Sequence, residues 1–303
     1  MNNENPIISV IMNCHNGELF LKEAINSVIN QTYENWEIVF YNNFSNDKSE
    51  NIIKSYKDIR IKYYESNNKL HLYDARNHAI KNAIGDYYAF LDVDDMWIPE
   101  KLEMQIETFN DPKVGFSCGN FFLLNGSLKK SIVHQIIPEG FVIDKMLTRY
   151  FIHMSSLMIS KTAFESLEKK FNPNYTIVGD LEMCINLNLK WKLSSIQKPI
   201  SYYRYHNDNT GRKLNFLYAT EIELLYLELK ENNLVSLLPE FTNFKNKVYW
   251  FKVVKNLHDN EKINALTSLK NLKFKHKLKL LFSIFIPYYF LKKWINFKRF
   301  SIE

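Results

Sequence analysis

The stretch Tyr87-Tyr-Ala-Phe-Leu-Asp92-Val-Asp94-Asp95-Met-Trp97 decides how the rest of the chain is read. Residues 87–91 have the length and aromatic content of a buried strand, and three carboxylates follow at once. Adjacent carboxylates repel, so such a cluster is favourable only with something cationic among them, and hard oxygen donors suit Mg2+ or Mn2+. A solvated acidic turn capping the next helix is the plainer alternative. The position of this strand in the fold separates the two.

Upstream, residues 7–12 (Ile-Ile-Ser-Val-Ile-Met) form a β-branched run of the kind found in buried parallel strands. It ends in a polar turn, 13–17, and an amphipathic helix over 18–30 follows, with Leu21, Ile25, Val28 and Ile29 on one face. A strand at 36–41, a helix at 48–57, a strand at 61–64 and a helix at 72–83 come next. Gly85 is placed to stop that last helix, which makes 87–91 the fourth strand, and Pro99 opens a further helix as a first-turn proline. This β-α-β alternation with short connections predicts a parallel sheet with right-handed crossovers. Ligands of such sheets bind beyond the carboxyl ends of the strands. The polar strand ends 13–16, 42–47 and 92–95 then share one edge, which favours a binding site over a solvated turn. Further on, strands are expected at 114–124, 155–159 and 200–205, a helix at 180–192, and strongly periodic helices at 217–230 and 242–257.

A chain of 303 residues, 46 % apolar, has ample core for one large domain with an appendage. The expected division is 1–210, with a first half at 7–124 and a second at 125–210, followed by a helical, basic extension at 211–303. The net charge of +6 is uneven. Residues 267–303 hold nine Lys/Arg against one acid, a balance of +8, so the other 266 residues sum to −2. A nucleic-acid partner for the body of the chain loses its main support. Cys14, Cys118 and Cys184 are widely spaced in apolar contexts and read as buried free thiols of a reducing compartment. The opening Met-Asn-Asn-Glu-Asn-Pro has neither the basic nor the apolar region of a signal peptide. The longest apolar stretch, 280–291, is broken by Pro287 and falls short of the roughly 18–20 residues that span a bilayer. Lysines and aromatics such as Trp294 bracket it, the pattern of a segment lying on anionic lipid. A cytoplasmic protein peripheral to the inner face of the cytoplasmic membrane is the resulting expectation.

Two motif readings of the acidic cluster fail on detail. A haloacid-dehalogenase-type phosphatase wants Thr or Val where Met96 stands and uses the first strand of its fold, not the fourth. An EF-hand loop from Asp92 needs Gly at Trp97. The third reading is a nucleotide-sugar site, in which a metal bridges the donor diphosphate to the protein. Residues 7–110 resemble the N-terminal half of a family 2 glycosyltransferase of GT-A fold, a Rossmann-like α/β architecture with a mostly parallel sheet flanked by helices. The resemblance rests on Ser9-Val-Ile-Met-Asn-Cys-His-Asn-Gly17, Gln31-Thr-Tyr-Glu-Asn-Trp-Glu-Ile38, Asn42-Asn-Phe-Ser-Asn-Asp47, Ala75-Arg-Asn77, Gly85-Asp-Tyr87 and Phe90-Leu-Asp-Val-Asp-Asp95. It returns at Val178-Gly-Asp-Leu-Glu182 and Tyr203-Arg-Tyr-His206.

The resemblance implies an inverting transferase that uses Mn2+ or Mg2+ and a nucleotide-diphosphate sugar, a UDP-sugar above others. Its acceptor would be a glycan or a lipid-linked hydroxyl in bacterial surface polysaccharide or lipopolysaccharide assembly. Asn13, His15 and Asn16 with Asn42 and Asn43 would hold base and ribose, and Arg76 would face the diphosphate. Asp92 would contact the ribose side, Asp94 would ligate the metal with Asp95 as neighbour or water-mediated ligand, and His206 or Arg204 would close over the phosphates. Asp180 would be the general base, with Glu182 as the fallback. A helix N-terminus at Asp180 is expected to lower its pKa. His15 and His71 are expected in packing or the pocket wall, and Arg76 and Asn77 either in the site or simply solvated. One departure stands out: the family usually has Asp-Asp where this chain has Asn42-Asn43. An amide oxygen accepts the same bond from a base N–H, but without the charge. That departure also motivates the rival reading, a catalytically silent nucleotide-sugar-binding or scaffold protein.

Overall fold

In the computed structural model the described residues are 5–125, 128–131, 136–206, 209, 215–259, 261, 264, 267 and 268. The chain divides into two compact units, Met1–Lys213 and Leu214–Glu303. The first opens with β1 (Ile8–Cys14), α1 (Leu21–Ile29), β2 (Trp36–Asn42), α2 (Ser49–Ser55), β3 (Ile61–Glu65), α3 (Leu72–Ile80) and β4 (Tyr87–Phe90). After the acidic turn come β5 (Met96–Trp97), α4 (Lys101–Ile106), β6 (Val114–Asn125) and β7 (Leu128–Ser131). The unit continues with α5 (Ile143–Thr148), β8 (Met158–Ser160), α6 (Lys161–Glu165), α7 (Gly179–Asn188) and β9 (Lys192–Arg204).

The sheet runs β3-β2-β1-β4-β8-β6-β9-β5, with β7 on β6. Its first four strands are parallel, Ile8 lying opposite Trp36 on one side and Tyr87 on the other. Side chains alternate across β1. Ile8, Val10, Met12 and Cys14 enter the core with Leu21, Ala24, Ile25 and Val28 of α1, and with Phe40 and Leu102. That leaves Ser9, Ile11 and Asn13 on the opposite face, which α3 covers. All three cysteines are buried free thiols.

Several boundaries differ from the sequence reading. The α3 helix ends at Ile80, so Gly85 does not stop it. A Cβ at Gly85 would lie 2.6–2.7 Å from Ser9 Oγ, Ile7 O and Ser9 N, so the glycine lets β4 start against β1. Pro99 precedes α4 by two residues instead of sitting in its first turn. Residues 154–156 form a 3-10 turn ahead of β8, not strand. The helix expected over 180–192 stops at Asn188, whose side chain accepts from Val142 N at 2.5 Å and donates to Gly140 O and Trp191 O. The chain then enters β9 at Lys192, eight residues before the strand expected at 200. The two-residue β5 carried no sequence signal. It exists because Met96 and Trp97 pair with Tyr202 and Ser201 of β9, a contact over a hundred residues distant in sequence.

The α4 helix buries Lys101 completely, its ammonium 3.7 Å from the Trp97 ring centroid and without a hydrogen-bond partner among the described residues. Burial holds this amine well below the usual lysine range. Lys101→Met keeps the volume and removes the desolvation cost, so stability rises by about 1–4 kcal/mol. In the wild type the unfolded lysine binds a proton that the folded one does not, from the lowered folded value up to 10.5. Stability therefore climbs with pH across that window, and the variant loses the Lys101 part of that slope. Urea unfolding at pH 7 and pH 9 reads both effects.

In the second unit, helices Asn215–Lys230 and Pro239–His258 pack through Tyr226 stacked on Phe241, ring centroids 5.2 Å apart, and through a Lys252–Glu223 ion pair. No helix among the described residues is long and apolar enough to cross a membrane. The basic segment within 269–303 lies outside the described residues.

Candidate active site

The acidic turn is fixed from both ends and from beneath. Asp95 faces inward, 2 % exposed. One of its oxygens accepts from Ser155 Oγ at 2.6 Å and the other from the Arg204 backbone N–H at 2.9 Å. Burial, then Asp94 and Asp92, push its carboxyl well above the usual range. His153 lies 3.5 Å from the same carboxylate, and burial brings its imidazole down to about 4. Asp95 therefore ties the turn to β9 and to the 154–156 segment, with both oxygens engaged by protein donors.

Asp94 and Asp92 point elsewhere. Asp94 Oδ2 meets His206 Nε2 at 2.8 Å, with side-chain exposures of 27 % and 22 %. Asn209 Nδ2 approaches the same oxygen at 3.3 Å, and its own Oδ1 accepts from His206 N. Burial and the neighbouring Asp92 raise the Asp94 carboxyl, while His206 pulls it back. Asp92 pairs with Arg76 Nη2 at 2.6 Å. That guanidinium is 5 % exposed, so Arg76 is a buried partner of the acidic turn and not a solvated helix residue. Arg204 stacks over Phe20 at 4.5 Å, pairs with Glu23 and donates through Nε to Asp94 O at 3.0 Å. Of the two residues expected over the phosphates, His206 sits on Asp94, and Arg204, at the end of β9, ties the turn to the start of α1.

Asp180 lies in the first turn of α7, which follows Val178 as N-cap, so Asp180 is not itself the cap. Its Oδ1 accepts from Leu181 N at 2.9 Å and from the Tyr73 hydroxyl at 3.2 Å, and its own N–H donates back to that hydroxyl at 3.2 Å. The expected depression of its pKa does not hold: burial raises it, and Arg76, Leu181 N–H, Tyr73 and Tyr150 only moderate the rise. Desolvation outweighs the helix terminus here. Glu182 is 3 % exposed and accepts from Asn186 Nδ2 at 3.2 Å within its own helix. Tyr150, Ser155 and His153, which also border the acidic turn or Asp180, carry no local sequence signal. Tyr73 had a signal, since it stands three residues before Arg76 on one helix face.

The loops after β1 and β2 are joined to each other. His15 Nδ1 meets Asn43 O at 3.0 Å, Asn16 N donates to Ser45 Oγ at 3.0 Å, and Asn46 N donates to Asn16 Oδ1 at 2.9 Å. His15 and His71 are both exposed, and His15 Nε2 lies 2.8 Å from Lys69 Nζ. Asn43 forms a peptide-like pair with Leu70, accepting from its N–H at 2.8 Å and donating to its C=O at 3.0 Å. Asn42 accepts from Ser45 N and donates to Tyr63 Oη at 3.1 Å. An aspartate at either position could not donate, which gives a local physical reason for the amides. Asn77 clamps Phe171 in the same two-bond manner and is not solvated. Asn13 differs: neither its Oδ1 nor its Nδ2 has a hydrogen-bond partner among the described residues, although both atoms are shielded from solvent.

Phe44 is 54 % exposed and takes a left-handed φ of 60°. That conformation costs a non-glycine residue about 1–2 kcal/mol. Phe44→Gly relieves that cost but gives up the buried half of the residue and adds freedom to the unfolded chain, so the opposing contributions of about 1–2 kcal/mol nearly cancel and stability should change by less than about 1 kcal/mol. Thermal melting reads it.

The open α/β sheet thus carries an acidic turn at the carboxyl edge of its parallel half, with a further carboxylate, Asp180, held by Tyr73 of α3. The chain belongs to glycosyl transferase family 2, whose family model matches residues 9–176. It is 34 % identical over 157 residues to the Escherichia coli UDP-Glc:alpha-D-GlcNAc-diphosphoundecaprenol beta-1,3-glucosyltransferase WfgD, covering 52 % of this chain but under two thirds, 61 %, of WfgD. It is 28 % identical to the putative teichuronic acid biosynthesis glycosyltransferase TuaG of Bacillus subtilis, over 75 % of this chain and 92 % of TuaG. Among solved structures, S. aureus TarS 1-349 superposes with a TM-score of 0.66 at 17 % identity, covering 89 % of this chain and 82 % of TarS 1-349. The mannosyltransferase PcManGT of Pyrobaculum calidifontis, in complex with GDP-Man and Mn2+, gives 0.63 at 12 % identity over 93 % and 80 %. The fold is GT-A.

Proposed function

We propose that the chain is a metal-dependent, inverting glycosyltransferase that moves a sugar from a UDP-sugar to a hydroxyl of a glycan or lipid-linked acceptor in surface polysaccharide assembly. The observation that carries this reading is the arrangement around α3. Arg76 binds Asp92 of the acidic turn, and one turn earlier Tyr73 holds Asp180, so turn and base are set from a single helix. The orphaned amide of Asn13, on the face of β1 that α3 covers, supports a ligand there, since an unsatisfied buried amide costs roughly 1–3 kcal/mol until something bonds it. The complex of TarS 1-349 with UDP-GlcNAc, the UDP-Glc in the name of WfgD and its diphosphoundecaprenol acceptor support the choice of uridine donor and lipid-linked acceptor.

Asp94 and His206 are the residues that would hold the metal. Among the described residues no three of His, Cys, Asp or Glu are grouped to hold an ion alone. That partly open carboxylate–imidazole pair would offer a divalent cation one oxygen and one nitrogen donor. When bound, the ion would supply charge neutralisation for the departing diphosphate. Asp92 and Arg76 orient the donor, and Asp95 keeps the turn in register. Asp180, ionised, takes the acceptor hydroxyl proton as that oxygen attacks the anomeric carbon and the bond to the nucleoside diphosphate breaks. One carboxylate base without a covalent intermediate gives inversion. Because burial raises Asp180, turnover falls on acidification at a higher pH than for an ordinary aspartate, whose value is 3.8.

Incubating the protein with UDP- and GDP-sugars, with and without Mn2+, tests the proposal. Mn2+-dependent release of UDP from one of the uridine donors is expected. No release from any donor, alongside intact nucleotide binding, would point to the silent binding protein.

A further inference from the structure

Beyond the proposed chemistry, we infer that Tyr73 is a positioning residue: its hydroxyl grips Asp180 at two points and sets the direction in which that carboxylate faces the site. The inference rests on Asp180 being the base. The Tyr73 O–H donates to Asp180 Oδ1 and its oxygen accepts the Asp180 backbone N–H, both at 3.2 Å. A single hydroxyl thus fixes both the main chain and the side chain of one residue, 107 positions away in sequence. With Leu181 N–H also on Oδ1, that oxygen is committed to two protein donors.

The tyrosine is itself held rigidly. It is 2 % exposed, and its ring stacks on Phe171, centroids 5.4 Å apart and planes within 12°. The backbone of Gly179 lies against the ring: a Cβ there would come within 2.6–3.0 Å of three Tyr73 ring atoms. The glycine immediately before Asp180 is therefore what allows Tyr73 to reach it. Arg76, on the next turn of α3, fixes Asp92 at 2.6 Å. Two side chains of one helix spaced i, i+3 accordingly define the separation between the acidic turn and Asp180. Placement errors of this kind are costly in rate without being costly in binding.

Tyr73→Phe tests the inference, because phenylalanine keeps the stacking on Phe171 and the contact with Gly179 and deletes only the hydroxyl. The expected loss is roughly ten- to a hundredfold in kcat, the scale of one hydrogen bond to a charged group, with donor KM within about twofold. The acidic limb of kcat against pH should also move upward, since a donor to the ionised carboxylate is lost. The other groups facing Asp180 stay in place, so that movement reports Tyr73 alone: Arg76 from α3, Tyr150 after α5, and Cys184 and Leu181 N–H on α7 itself. Unchanged kcat with an unmoved limb would overturn the inference. So would a fall in kcat that tracks a fall in melting temperature while the limb stays put, because that is a packing role. Asp180→Asn measured beside it separates the two claims. If Asp180→Asn is inactive and Tyr73→Phe is normal, only the positioning role fails; if Asp180→Asn is fully active, the base assignment fails.

Discussion

Asp180→Asn should lower kcat by about 10²–10⁴-fold, the usual contribution of a positioned general base, while leaving nucleotide affinity within about twofold. The substitution is nearly isosteric, and the asparagine oxygen still accepts from Leu181 N and Tyr73 Oη, so the local fold survives. What is lost is the ability to take a proton. Burial already holds this carboxyl above its ordinary range in the folded protein, so the ionised form is strained and correspondingly basic. The neutral side chain relieves that strain, and the melting temperature of the variant at pH 7 should not fall. Steady-state turnover with a fixed UDP-sugar, and UDP binding by calorimetry, read the two halves. Equal turnover in the two proteins would remove Asp180 from the mechanism.

The second large effect is expected at Asp94. Asp94→Asn preserves a partner for His206 and Asn209 but removes one charge from a turn with three carboxylates in four residues. Turnover should fall roughly 10²–10³-fold, the scale of losing one electrostatic contact to a developing charge, with a higher Mn2+ requirement. Stability should move the other way. Asp94, Asp95 and Asp180 all carry raised folded-state values, so between 3.8 and those values the folded protein binds more protons than the unfolded chain. Its stability therefore declines as pH rises through that window. Removing one carboxylate lessens the decline, and metal-free Asp94→Asn should melt no lower than wild type at pH 7.5. A site that gains activity at a cost in stability behaves this way. A destabilised variant with normal turnover would mark Asp94 as a structural aspartate.

Much of the parallel half was legible because its signals are local. The β-branched runs of β1 and β2, the periodic helix α1 and the polar strand ends each declare themselves within about ten residues. The second half was read less well for a physical reason. The short β5, the early start of β9 and the 154–156 turn are set by pairing and packing partners far along the chain, and local pattern carries none of that. At the candidate site the identity of the chemical groups was readable, but their division of labour was not. Nothing in Asp94-Asp95 says that one faces His206 and the other is locked between Ser155 and Arg204. Nothing in Asn42-Asn43 reveals that both amides are spent on Tyr63, Ser45 and Leu70. Tyr73 was within reach, because its spacing to Arg76 and the glycine before Asp180 are both visible in the sequence.

Calorimetric titration of UDP into the protein decides whether the acidic turn and His206 form a metal–diphosphate site. With Mn2+ present, UDP should bind; with the metal chelated, or in Asp94→Asn with Mn2+, its affinity should fall at least tenfold, with GDP run in parallel to report on the base. UDP binding that is equally tight with and without Mn2+, and in Asp94→Asn, would rule out a metal–diphosphate site at this turn.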